Sequence, residues 1–343
     1  MLRTRHVKRT TQASSASADG LIVVLGGLGF MGSHICRELI ARGHRVRIFD
    51  KLHISRESIE DIEHDLEISE GDILRPHDVL AAIVDAETVI QLVHTTRPGS
   101  SMEDPVFDIS TNVVPAVKWL ALLPQTKVRR MLFVSSGGTV YGVPRATPID
   151  ESHATDPICS YGITKLAIEK YLAMYASLSG IEYCCLRPSN VYGEGQPLNV
   201  GQGIIGVLAD RALRGEPLEI WGTGESMRDY LYIDDMVSAM MALLSYRGPQ
   251  RIFNVSSGIG HSVNDIVRLL SDSLGFAPKV IYKPDRGFDV AVNILDSTRL
   301  RQETSWQPKV GLDVGVARTV GWIRSMRKEV GADLCESVHE QRR

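Results

Sequence analysis

From Leu21 to about Arg187 the chain alternates between short, continuously apolar runs and longer segments with helical spacing. Leu-Ile-Val-Val-Leu (21–25) is apolar throughout, the pattern of a strand buried on both faces. Ser33 to Arg42 carries Ile35, Leu39 and Ile40 on one side of a predicted helix, with Gly43 as its stop. Val46 to Phe49, Thr88 to Val93, Met131 to Ser135 and Tyr183 to Leu186 repeat the buried-strand pattern. Strands alternating with helices predict an α/β fold, a doubly wound parallel sheet covered on both faces. After Gly193 the texture changes: Gly, Pro and Asn are frequent through Gly203. Shorter patches follow, a helix around Ile204 to Leu213, a strand around Leu218 to Trp221 and a helix around Asp235 to Leu244. They predict a smaller α/β domain on the C-terminal edge of the sheet.

Composition narrows the class. The chain has 343 residues, enough for roughly two domains or one large α/β body. Apolar residues make up 43% and charged residues 23%, which excludes disorder as the main state. The net charge of −3 gives no reason to expect a nucleic-acid partner. No apolar run approaches the ~20 residues of a spanning helix, so a membrane partner is not expected. Cys36, Cys159, Cys184, Cys185 and Cys335 lack metal-ligand spacing, and their odd number argues against a disulfide framework. No metal is expected, and a reducing, cytoplasmic location fits. The basic start (Arg3, Arg5, Lys8, Arg9) and the Ser/Ala-rich stretch after it have no apolar core; residues 1–19 are expected to be a disordered tail.

Gly26-Gly27-Leu28-Gly29-Phe30-Met31-Gly32 follows the first strand and opens the first helix. Glycine at 26, 29 and 32 permits a tight turn and close backbone approach to a pyrophosphate. The helix N-terminus beyond it offers free N–H groups and partial positive charge. Asp50 lies eighteen residues beyond Gly32, at the end of the second strand. A carboxylate there accepts hydrogen bonds from adenosine ribose hydroxyls and repels a 2′-phosphate, favouring NAD over NADP. Asp72, followed by Ile73, is placed to meet the adenine. Residues 20–190 therefore form the predicted Rossmann-type NAD-binding domain. Residues 191–343 are assigned mainly to substrate binding, with segments around 229–257 returning to the first domain.

Tyr161 and Lys165 stand at i and i+4, on one helix face about 6 Å apart. An ammonium beside a phenol is expected to lower the phenol's pKa, so that Tyr161 serves as base and then acid. Ser135-Ser136-Gly137-Gly138-Thr139-Val140-Tyr141-Gly142 follows a strand, where open α/β sheets bind ligands.

These motifs, with Leu-Arg-Pro-Ser-Asn-Val-Tyr-Gly (186–193) and Arg-Asp-Tyr-Leu-Tyr-Ile-Asp-Asp (228–235), resemble the extended short-chain dehydrogenase/reductase superfamily. Within it the chain is similar to nucleotide-sugar epimerases of the UDP-glucose 4-epimerase type, over about residues 20 to 325. The resemblance implies that Tyr161 is the acid/base and that Lys165 binds the nicotinamide ribose. It adds Phe30, Met31, Ile73 and Pro188 to the cofactor side. It gives Asn190, Arg228, Arg286 and Asp289 to the substrate's diphosphate and ribose, and Trp221 to its base. Asn112 matches the Asn of a helix behind the active site, and a homodimer through the helices bearing Asn112 and Tyr161 is implied. His94 occupies a position where small residues are usual near the cofactor, and is read as structural. Asn293 matches a residue that gates the sugar's C2 substituent. One departure stands out: the family's catalytic Ser or Thr is Gly137 here, leaving Ser136 or Thr139 to supply the hydroxyl.

The activity implied is 4-epimerisation of a nucleoside-diphosphate sugar (a UDP-hexose, a UDP-N-acetylhexosamine or a dTDP-6-deoxyhexose) through a 4-keto intermediate. A nucleotide-4-ketosugar reductase or dehydrogenase is the alternative, and a non-catalytic NAD-binding regulator a second.

Overall fold

The computed structural model describes residues 20–198, 203–285 and 290–340, with side chains described up to residue 328. The expected tail, residues 1–19, lies outside this range. A seven-stranded sheet forms the body of the molecule. Its strands are β1 (Ile22–Leu25), β2 (Val46–Asp50), β3 (Leu66–Glu70), β4 (Thr88–Gln91), β5 (Arg130–Val134) and β6 (Glu182–Pro188). The seventh joins late in the chain, after β7 (Asn190–Tyr192), β8 (Leu218–Trp221) and β9 (Met227–Tyr232); it is β10 (Ile252–Val255). The order is β10-β6-β5-β4-β1-β2-β3, parallel at every pairing. This is the Rossmann-type doubly wound arrangement. Strand order reverses between β1 and β4, which opens a crevice at their carboxyl ends.

Both faces of the sheet are covered. Ile22, Val24, Ile48, Ile90, Leu132 and Leu186 belong to one core, while Leu21, Val23, Leu25, Phe49, Val89, Met131 and Phe133 belong to the other. Alternate residues of each apolar strand thus feed opposite cores, as a two-sided sheet requires. Helix α1 (Phe30–Ala41) begins three residues before the predicted Ser33, because the glycine turn itself leads into the helix. β4 ends at Gln91 rather than Val93. The remaining helices before β7 are α2 (Pro76–Ile83), α3 (Ser100–Glu103), α4 (Pro105–Asp108), α5 (Val114–Leu120) and α6 (Ser160–Ser179). A π-helical turn, Ile109–Val113, joins α4 to α5. Helix α6 stops at Gly180, whose φ of +66° makes the left-handed cap.

The second half of the chain crosses between the large sheet and a small one. β11 (Gly260–Ser262) and β13 (Val292–Asn293) flank β9, and β7 also pairs with β9. β12 (Val280–Lys283) pairs with β8. Helices α7 (Ile204–Leu213), α8 (Ile233–Ser245), α9 (Val263–Leu274), α10 (Thr298–Thr304) and α11 (Leu312–Glu340) complete the elements. Cys36, Cys184 and Cys185 are free and buried, and Cys159 is free and half-buried. Burial pushes the Cys36 thiol up to about 12, so it packs as a small apolar group. No helix among the described residues is long and apolar enough to cross a membrane. Among the described residues no group of His, Cys, Asp or Glu is arranged to hold a metal ion.

Candidate active site

The turn after β1 is shaped by contacts that only glycine allows. Gly26 has φ +90°, and a Cβ on Gly32 would stand 2.2 Å from the Gly26 carbonyl oxygen and 2.7 Å from Gly27 Cα. Gly29 precedes α1, and no side chain caps the helix, so backbone N–H groups of its first turn remain for an anion. Phe30 and Met31 are partly buried beside them against the core. Asp50, at the tip of β2, accepts from Leu28 N–H (3.1 Å) and Lys51 N–H (3.0 Å), which fixes its carboxylate beside the turn. Burial raises the Asp50 pKa. Asp72 forms a turn of its own: its carboxylate accepts from Leu74 N–H at 3.0 Å. Ile73 behind it belongs to the core.

Tyr161 and Lys165 lie in the first two turns of α6, with Lys165 Nζ 5.7 Å from the phenol ring centre. Lys165 Nζ donates to the Val134 carbonyl at the end of β5 (2.8 Å). Burial lowers the Lys165 pKa to about 7. The Tyr161 phenol is pushed above its ordinary value by burial first, then by Cys159 and Asp108. This differs from the expectation that Lys165 lowers the phenol: loss of water around the half-buried ring is the largest influence on Tyr161, and Lys165 donates instead to the Val134 carbonyl.

The loop after β5 explains the missing hydroxyl. Gly137 N–H donates to Pro188 carbonyl oxygen (2.9 Å), the last residue of β6. A Cβ on Gly137 would stand 2.3 Å from Leu295 Cδ1 and 2.9 Å from Arg187 carbonyl oxygen. A side chain there requires Leu295 and the end of β6 to shift. Ser136 is half-buried. The hydroxyls of Ser135 and Thr139 are buried without a hydrogen-bond partner, as is His94 Nδ1. Orphaned buried polar atoms call for a partner, and these three follow the carboxyl ends of β4 and β5.

The small sheet carries Asn190, Arg228 and Asn293, and Trp221 stands on the separate β8–β12 pair. Asn190 on β7 is in register with Tyr230 of β9, and its amide donates to Asp229 carbonyl oxygen (2.9 Å). Arg228 on β9 donates to Met227 carbonyl oxygen (2.9 Å) and is in register with Asn293 on β13. Both polar atoms of the Asn293 side chain are buried and unpartnered. Trp221 ends β8, 45% exposed and in register with Lys283. Arg286 and Asp289 lie outside the described residues.

The sequence reading missed Asp108. It is fully buried and accepts from Thr96 Oγ1, Ser160 Oγ (2.7 Å) and Asn112 Nδ2 (2.9 Å). Burial alone would raise its pKa, but the His94 contact first, then the bonds from Thr96 and Ser160, hold it well below the usual carboxylate range. The signal was its spacing, one helical turn before Asn112 and one turn into a segment otherwise lacking acids.

A profile of the NAD dependent epimerase/dehydratase family matches residues 22–256. The chain belongs to this family. It is 32% identical to the UDP-glucose 4-epimerase of Mycolicibacterium smegmatis, covering 88% of this chain and 98% of the relative. It is 31% identical to an Escherichia coli dTDP-4-dehydro-6-deoxyglucose reductase, covering 88% and 97%. The structure of the Thermotoga maritima UDP-glucose 4-epimerase with UDP-glucose superposes with a TM-score of 0.83 at 33% identity, covering 89% and 99%. This family member is an NAD-dependent enzyme, and its glycine cradle, Asp50 and the orphaned atoms beside Tyr161 fit a dinucleotide.

Proposed function

We propose that the protein catalyses 4-epimerisation of a UDP-linked hexose or N-acetylhexosamine. The observation that carries the reading is the Tyr161–Lys165 pair on α6, held at the carboxyl end of β5, in a sheet whose β1 ends in the glycine cradle. Bound NAD supplies reversible acceptance of a hydride from C4. Gly26, Gly29, Gly32 and Asp50 would hold its adenosine half, and Lys165 its nicotinamide ribose.

Tyr161 takes the proton of the C4 hydroxyl as the ketone forms, and returns it once the sugar presents its other face. The raised proton affinity of Tyr161 suits the return step, and the positive charge of Lys165 favours the first. Ser136 or Thr139 would hydrogen-bond the C4 oxygen in place of the hydroxyl that Gly137 lacks. Asn190, Arg228, Arg286 and Asp289 would anchor the nucleotide, with Trp221 against the base. Asn190 and Arg228 stand on other elements than Tyr161, so the sugar can turn while the diphosphate stays fixed. Asn293 has a free amide and is smaller than a tyrosine, which favours acceptance of an acetamido group at C2.

A second reading, a nucleotide-4-ketosugar reductase, is favoured by the Escherichia coli relative. The test is incubation of the purified protein with UDP-glucose, UDP-N-acetylglucosamine and dTDP-rhamnose separately, without added NAD, followed by NMR of the anomeric signals. A C4-inverted product is expected from a UDP sugar. No inverted product, together with steady consumption of reduced cofactor when it is supplied with a nucleotide-4-ketosugar in a parallel assay, would replace epimerase with reductase.

We further infer a homodimer. Val106 and Phe107 of α4, Ile109 of the π-helical turn, and Ile163, Met174 and Leu178 of α6 are exposed apolar side chains on helices packed together. An apolar face of this kind marks an association surface. The free thiols fit a cytoplasmic location.

A further inference from the structure

His94 has no part in the chemistry above, yet its imidazole stands against the Tyr161 ring. The ring centres are 4.6 Å apart and the planes meet at 72°. His94 follows β4, at the reversal of strand order. Its side chain is 5% exposed, and Nε2 lies 3.5 Å from Asp108 Oδ1. Thr164 Oγ1 lies 3.4 Å from the same nitrogen.

Asp108 reaches Tyr161 by a second route, through the backbone. Ser160 and Thr164, which flank Tyr161 in the first turn of α6, donate to its Oδ2 at 2.7 and 3.2 Å. Thr164 Oγ1 also lies 3.0 Å from the Tyr161 carbonyl oxygen. Tyr161 N–H donates to Ser101 Oγ at 3.0 Å. The anion therefore sits at the positive end of α6, where the helix dipole favours it. Asn112, in the π-helical turn, pins Asp108 from behind and accepts from Thr95 N–H at 2.8 Å.

We propose that Asp108 and His94 form a positioning unit for Tyr161, fixing the phenol in the crevice and setting its proton affinity. The proposal rests on Tyr161 being the acid/base of the preceding section. Its physical content is twofold. The imidazole keeps water from one side of the phenol, and is itself held neutral by burial, its pKa lowered to about 4. The carboxylate places a permanent negative charge behind that ring. Both oppose phenolate formation, and Lys165 opposes them once a substrate is bound. The titratable and charged groups facing His94 and Tyr161 are Asp108 of α4, Lys165 of α6 and Cys159 just before α6.

The test is a spectrophotometric titration of the phenolate band in NAD-loaded enzyme, taken as the difference from Tyr161→Phe in the same background. It reads Tyr161 alone and needs no sugar, so it stands whether or not the substrate assignment holds. Asp108→Asn and His94→Ala are expected to titrate about one pH unit or more below wild type. His94→Phe, which keeps an edge against the phenol but loses the Asp108 contact, falls between. Turnover with the sugar that wild type accepts should fall ~10- to 100-fold in His94→Ala, with KM changed by less than about threefold. If Asp108→Asn does not fold, the His94 variants carry the test, because they leave the bonds from Asp108 to α6 in place. Variants that lose melting temperature while Tyr161 titrates as in wild type would show a merely structural role and overturn the proposal.

Discussion

Arg187 and Glu169 form a two-pronged ion pair, Nε to Oε1 at 2.9 Å and a terminal amine to Oε2 at 2.6 Å, with both side chains at most 2% exposed. Glu169 lies one turn beyond Lys165 on α6, and Arg187 stands beside Pro188 on β6. Arg187 also donates to Tyr141 (3.0 Å), whose hydroxyl donates to Asn254 on β10 (2.7 Å). The pair thus ties the helix of Tyr161 to two strands of the large sheet. Removing one partner leaves an unpaired buried charge. Glu169→Leu or Arg187→Met alone is expected to cost ~3–5 kcal/mol, and the double variant much less than the sum. Denaturant unfolding of the four proteins gives the cycle; additive losses would refute the coupling.

Lys165 predicts a stability profile. Its pKa falls from 10.5 to about 7 on burial. Between those values the unfolded chain binds more protons than the folded one, so this group makes stability rise with pH across the window. Below about pH 7 the full penalty of a buried ammonium is present. Lys165→Met removes it. The variant should melt above wild type at pH 6, with the gap closing toward pH 10, while turnover is lost. Calorimetry over that range checks the sign.

Gly137 predicts that the family's hydroxyl cannot simply be restored. Gly137→Ser brings Cβ against Leu295 and the Arg187 carbonyl, and overpacking of this kind costs ~1–3 kcal/mol. Melting temperature should fall, and by less in a Leu295→Ala background than in the wild-type one. The double variant Ser136→Ala, Thr139→Ala should lower turnover at least about tenfold. An unchanged rate would mean that neither hydroxyl touches the sugar.

The exposed apolar face predicts its own disruption. Val106 and Leu178 are each 75% exposed. Val106→Glu with Leu178→Glu should convert a dimer to monomer in sedimentation while leaving the unfolding transition cooperative. A wild-type monomer at micromolar concentration would exclude the dimer outright.

Local pattern made much of this molecule legible. Two-sided apolar strands such as Leu21 to Leu25 can be stable only inside a covered parallel sheet, and a glycine run between such a strand and a helix admits few conformations. Tyr161 and Lys165 could be paired because helical spacing is a local property. The effect of Lys165 on Tyr161 could not, since a pKa depends on everything that replaces water around the group. Asp108 escaped notice for the same reason: its partners Thr96, Ser160 and Thr164 are up to fifty-six residues away, and only the packing of α4 on α6 brings them together.

The sequence by itself determined the strand–helix alternation, the glycine turn with Asp50 at the next strand tip, and the spacing of phenol and amine on one helix. Each follows from interactions between near neighbours along the chain. Only the tertiary structure decided why residue 137 has no side chain, which way the phenol's proton affinity moves, and what His94 and Asp108 face. Those outcomes depend on close packing and on the removal of water, and both are set by residues distant in sequence that meet when the sheets and helices close on one another.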